Sequence, residues 1–97
     1  MITVENNTIT IHCEKVSHDD KLEVEYALER LLHSGATVIN LDLSKTIYLP
    51  STLMGFLMWK KQELQKQGKD IKIIAISPSL RKVFEDMRLI DFFDIQK

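Results

Sequence analysis

Apolar and polar residues alternate at Ile2-Thr3-Val4 and again from Thr8 to Ile11, with Asn6-Asn7 between the two runs. A period of two predicts strands, and asparagine tolerates the positive φ of a tight turn, so the chain opens on a β-hairpin. A polar stretch from Glu14 to Lys21 leads into a helix. Its apolar face is Val24, Ala27, Leu28, Leu31 and Leu32, spaced i, i+3, i+4, i+7 and i+8. Asp19 and Asp20 suit its positive end, and Gly35 stops it. Thr37 to Leu43, rich in aliphatic and β-branched residues, reads as a strand buried on at least one face. Ile47-Tyr48-Leu49 reads as a short extension of that strand, broken by Pro50.

A second helix is predicted from Ser51 or Thr52 to about Gln67, with Gly68 as its stop. Ile71 to Ile76 is a further buried-type strand. Ser77-Pro78-Ser79 opens a third helix reaching about Arg88, because serine caps free N–H groups and proline fits the first turn. Leu89 to Ile95 reads as a last helical turn followed by a short strand. The order β-β-α-β-α-β-α implies an α/β chain built on a central, largely parallel sheet with right-handed crossovers. Neither an internal repeat nor a linker divides the 97 residues, so residues 1–97 read as a single domain.

Charge and cysteine content narrow the function classes. Thirteen Lys and Arg against fourteen Asp and Glu give a net charge of −1, which argues against a nucleic-acid binder. The single Cys13 makes no internal disulfide, and one Cys with three scattered His is a poor metal set. The longest apolar stretch, Leu53 to Trp59, ends at Lys60-Lys61, far short of the roughly 20 residues that span a membrane. The N-terminal residues lack the basic and apolar regions of a signal peptide, so a cytoplasmic protein without membrane insertion is expected.

Enzyme signatures do not assemble. Glycines at 35, 55 and 68 build no phosphate loop, and the sequence calls for no cofactor. His12 and Cys13 are strand neighbours pointing to opposite faces, so they do not form a nucleophile–base pair. His18, Asp19 and Asp20 read as a solvated helix start rather than as metal ligands. Asp42 reads as a hydrogen-bonding residue that ties down the loop after its strand. Without a nucleophile, base and orienting group, no catalytic residue is expected.

Two features point to binding instead. Residues 1–49 carry 4 basic and 8 acidic side chains, and residues 50–97 carry 9 basic and 6 acidic. The group Lys60, Lys61, Lys66, Lys69 and Lys72 is therefore either a docking face for an acidic partner or a solvated helix face. The junction Leu49 to Gly55 lies where a strand hands over to a helix, the edge at which open parallel sheets bind ligands and partners. Ser51 or Thr52 is the expected N-cap there, and a helix start also accommodates a phosphoryl group. Along the helix, Leu53, Met54, Leu57, Met58 and Leu64 form a core stripe. Phe56 falls at its edge, while Gly55 and Trp59 lie outside it. An exposed Trp beside a Gly reads either as an interface anchor or as a side chain packed under a neighbouring loop.

The runs Ile39-Asn40-Leu41-Asp42-Leu43-Ser44, Ile47 to Gly55, Gly68 to Ile73 and Ser77-Pro78-Ser79-Leu80-Arg81-Lys82-Val83-Phe84 resemble the STAS domain of the anti-sigma factor antagonist (anti-anti-sigma) family. The resemblance is best from Val38 to Phe93. It implies a small mixed sheet of four or five strands packed with three or four helices. It also implies a switch rather than an enzyme. Such a switch binds a serine kinase/anti-sigma factor of the HATPase type when unphosphorylated. Phosphorylation releases it, and a PPM-type serine phosphatase restores it. By position the phosphorylated residue is Ser51, with Thr52 as the alternative. The partner surface is Asp42, Pro50, Ser51, Thr52, Gly55, Phe56 and Trp59.

The family pattern has Asp where this chain has Pro50, Gly where it has Leu53, and in many members Gly where it has Arg88. The first two departures keep open a second reading, a non-phosphorylated STAS accessory subunit of a lipid-transport ATPase complex.

Overall fold

A computed structural model describes residues 1–95. The elements are β1 (Ile2–Glu5), β2 (Thr8–Ile11), α1 (His18–His33), β3 (Val38–Leu43), α2 (Ser51–Gln65), β4 (Asp70–Ile76) and α3 (Pro78–Asp86). They form one four-stranded mixed sheet in the order β1-β2-β3-β4. The first pair is antiparallel, and the next two are parallel. Asn6 turns the hairpin with φ 55°. The order of elements is the one expected from the periodicity.

Among the described residues the sheet is covered on one face only, and the strand sequences say why. Val38-Ile39-Asn40-Leu41-Asp42-Leu43 alternates, which suits one dry and one wet face. Ile9, Ile11, Ile39, Leu41, Leu43, Ile71 and Ile73 face the helices and are buried. Helix α1 lies over β1 and β2, α2 lies over β4, and α3 adds Leu80 and Phe84 to the same core. Thr10, Asn40 and Lys72 occupy the other face. Ile74 points outward by the alternation of β4, and a bulge opposite Leu41 and Asp42 then returns Ile76 to the core side.

Two expected strand segments are corrected. Ile47-Tyr48-Leu49 does not extend β3. Tyr48 forms an isolated parallel bridge with Lys15, and Ile47 and Tyr48 both donate backbone N–H to Glu14 O. Three residues, Ser44 to Thr46, separate this segment from β3, and it pairs with the chain preceding α1 instead. The strand expected near Ile95 is absent among the described residues. Leu89 to Ile95 forms turns, with Phe93 N donating to Leu89 O and Ile95 N to Ile90 O. Phe93 packs on Phe84 and Phe92, so its aromatic content serves the core rather than a sheet.

The helix ends share one geometry. Helix α1 starts with a capping box in which Ser17 and Asp20 bond each other's backbone N–H. Bonds from the Ser17 backbone and hydroxyl, then the N-terminal ammonium, hold Asp20 well below the usual carboxylate range. All three helices stop in a Schellman motif, each with a left-handed residue after the last turn. The closing bonds are Ala36 N to Leu31 O, Lys69 N to Leu64 O and Leu89 N to Phe84 O. Gly35 (φ 97°) and Gly68 (φ 75°) take the left-handed position without a Cβ penalty. The third such residue is Arg88, at φ 59°.

Lys61 is the feature that periodicity does not show. It was expected among a surface lysine group, yet only 1% of it is exposed. Its ammonium bonds Asp70 Oδ1 at 2.6 Å and Ile71 O at 2.7 Å, with Asp94 Oδ2 at 3.8 Å and the Phe93 ring centroid at 5.9 Å. The rest of the group does not form one face either. Lys60 pairs with Glu29 of α1 at 2.8 Å, Lys66 with Glu63 at 3.2 Å, and Lys72 lies on the far side of the sheet. No helix among the described residues is long and apolar enough to cross a membrane.

Asp70→Ala leaves the Lys61 ammonium buried without its carboxylate, and chemical denaturation should show a loss of about 3 kcal/mol. Arg88→Gly removes the Cβ conflict of the left-handed cap and should raise stability by about 1 kcal/mol in the same measurement.

Candidate functional site

The loop between β3 and α2 is held at successive points, and those points place the start of α2. Asp42 Oδ1 accepts from Ser44 N at 2.9 Å, as expected for a loop-tying residue. Thr46 is fully buried, and its hydroxyl donates to Cys13 O at 3.0 Å. The Ser77 hydroxyl donates to Thr46 O and accepts from Leu80 N, so one side chain caps α3 and pins the loop. Val16 N donates to Tyr48 O, and Leu49 is buried. Thr46 was not singled out by sequence reasoning. A threonine among loop residues reads as polar surface, and only the tertiary structure shows that its hydroxyl is internal.

The cap of α2 corrects an expectation. The N-cap is Pro50, at φ −62° and ψ 145°, and no side chain bonds the helix start. Ser51 and Thr52 are the first helical residues instead. The fixed φ of proline suits the extended N-cap backbone, and Pro50 O accepts from both Leu53 N and Met54 N. Ser51 and Thr52 are exposed, and neither hydroxyl has a hydrogen-bond partner among the described residues. Their N–H groups are among those an α-helix leaves unpaired at its start.

At 3.6 residues per turn, Ser51, Thr52, Gly55 and Trp59 fall within about 100° of one another around the helix axis. They form one outward stripe. Trp59 is 55% exposed, which excludes packing under a loop. It is nevertheless held. Its ring is tilted on Phe56 at a 6.1 Å centroid distance, and the Lys60 ammonium lies 5.6 Å from its centroid. Lys60 is itself tethered to Glu29 of α1. Phe56 is half-buried and packs against the core, so it supports Trp59 more than it presents a surface of its own. Tyr48 and Ile47 add exposed apolar area just before the helix. Asp42 is half-buried and its bond goes to the loop, so it positions this surface and is not part of the stripe.

The stripe carries no catalytic arrangement. Burial, followed by the Asp20 charge and hydrogen bond, pushes the Cys13 thiol up, away from the thiolate a nucleophile needs. Among the described residues no group of three or more His, Cys, Asp and Glu side chains could hold a metal ion.

A Cβ added at Gly55 would meet nothing within 4 Å, and this residue has helical backbone. Folding therefore gains nothing from glycine here. Gly55→Ala should raise stability by about 1 kcal/mol, read as a higher thermal midpoint.

No family model matches the sequence, and no curated protein matches it. Among solved structures, the chain is similar to the anti-sigma factor antagonist SpoIIAA in its unphosphorylated form. The TM-score is 0.71 at 19% identity, over 100% of this chain and 87% of that one. Both the mixed sheet and the three helices are matched. The chain thus has the STAS fold of SpoIIAA, the fold that its motifs lead one to expect.

Proposed function

We propose that this protein is a partner-switching regulator of the anti-sigma factor antagonist type. Unphosphorylated, it binds a serine kinase/anti-sigma factor of the HATPase type through the outer stripe of α2. Phosphorylation of Ser51 releases it, and a PPM-type serine phosphatase returns it to the binding form. The reading places this cycle in the cytoplasm and assigns the protein no catalysis of its own.

The observation that carries the reading is the Ser51 hydroxyl. It is exposed and unpartnered in the first turn of a 15-residue helix. A kinase reaches it without unfolding anything. A phosphate there meets the unpaired N–H groups and the positive end of the helix dipole, so the fold tolerates it. Because Pro50 supplies no side-chain cap, the phosphate displaces no existing bond. It adds about two negative charges beside Gly55 and Trp59. The surface changes sign while the scaffold stays as it is. The likeness to SpoIIAA supports a regulator over an accessory subunit of a transport ATPase.

The protein purified from its native cells should carry a phosphate within residues 49–60, mapped to Ser51 by intact mass and peptide analysis. Ser51→Glu should remain folded by circular dichroism and weaken capture of the native partner by about tenfold or more. A phosphate on Thr52 moves the site by one residue. Absence of phosphate on both, together with equal partner capture by Ser51→Glu and wild type, overturns the proposal.

A further inference from the structure

Strand β1 is an edge, and its free side is unusually well prepared to meet another strand. His12 N donates to Met1 O, in register with Thr3 opposite Thr10. Antiparallel alternation then turns the backbone groups of Thr3 and Glu5 toward β2, and those of Ile2 and Val4 outward. The strand is short, four residues ending in Glu5, but it carries neither proline, lysine nor bulge. Beside it runs an apolar groove of about 380 Å³ between β1 and α1, lined by Ile2, Val4, Glu23, Tyr26, Arg30 and Leu31 among others. Val4 is 46% exposed and Tyr26 is 67% exposed.

We propose that a second copy of this chain occupies this edge, forming a two-fold dimer through β1 and α1. The pattern of residues is self-complementary. An axis at Thr3 sets Ile2 of each copy opposite Val4 of the other. In that register the outward N–H and C=O groups of both residues pair reciprocally, and both side chains stay on the helix face. The same axis passes beside α1 at the level of Tyr26 and Ala27. It sets Glu23 of each copy level with Arg30 of the other, acid against base, with the exposed Tyr26 beside them. Neither Glu23 nor Arg30 has an ion-pair partner among the described residues, and Arg30 lies over the Tyr26 ring at 5.8 Å.

Strand and helix agree on where that axis lies. Met1 N contacts Asp20 Oδ1 at 3.1 Å, which aligns the start of β1 with the start of α1. From that contact Thr3 lies about 7 Å along the strand, and the Tyr26–Ala27 midpoint about 10 Å along the helix. The two positions are therefore within about one helical residue pair of each other. The groove is filled by the partner copy's α1, and the sheet continues across the axis as eight strands. This inference does not depend on the function proposed above, because the α2 stripe lies on another part of the surface.

Sedimentation equilibrium on the full chain, with any tag at the C-terminus, tests it. The 11.3 kDa chain should reach twice that mass as concentration rises from micromolar to millimolar. Glu23→Arg and Arg30→Glu, both on the exposed helix surface, should each be monomeric and folded by circular dichroism. An equimolar mixture of the two should regain the dimer, because opposite charges then face each other again. Val4→Pro removes an outward N–H and spares the bonds to β2, so it should also give a folded monomer. A wild-type monomer throughout the range overturns the proposal. So does a dimer that survives both charge reversals, since that would use another face.

Discussion

The position of α2 depends on one buried ammonium. Lys61 projects from the helix into the core and finds its ligands on β4, at the Asp70 carboxylate and the Ile71 carbonyl. Asp70 also accepts from Ile71 N, so carboxylate, strand backbone and lysine form one connected set. A buried charge requires its partners at defined distances, whereas apolar contacts tolerate sliding. Leu53, Leu57 and Leu64 supply the adhesion of α2, and Lys61 sets where along the strand the helix sits. The start of α2, with its exposed hydroxyls, inherits that placement.

The other end of the arrangement is the loop before α2. Thr46 and Ser77 are both buried and each satisfies a backbone carbonyl, so the loop is tied to the chain after β2 and to the start of α3. The surface proposed for partner binding is thereby presented by rigid supports on either side. Trp59 follows the same design at smaller scale, as Phe56 and the Lys60–Glu29 pair restrict its ring without covering it. Restricting a large side chain before contact lowers the entropy lost on contact.

The fold was legible in the sequence where local rules decide. The hairpin, the three helices and the alternating pattern of β3 follow from periodicity, and Gly35 and Gly68 mark their helix ends by conformational freedom alone. Legibility ended where tertiary context overrides a local signal. Lys61 looks like its surface neighbours because a lysine at a core position carries no mark of its partner nine residues away. Ser51 looks like a cap, yet the proline before it takes that position, and the consequence is an unoccupied hydroxyl. Tyr48 looks like a strand residue, but it makes an isolated bridge with Lys15 and belongs to no strand. The stripe of Gly55 and Trp59 could be placed outside the core from helical spacing. Whether another element covered it could not, because no local rule reports what stands above an outward face.

The sheet has one more property, and it concerns time rather than structure. The strands lie side by side in the order in which they occur in the chain. No strand has to be inserted between two that are already paired, as happens in sheets whose order reverses partway. Each new strand can therefore join the growing edge as it leaves the ribosome, with the preceding helix closing over the previous pair. The parallel pairs still join residues 32 apart, such as Thr8 with Asn40 and Val38 with Asp70, but vectorial growth shortens the period in which an incomplete edge is exposed. A small single-sheet domain gains from reaching its native form during synthesis.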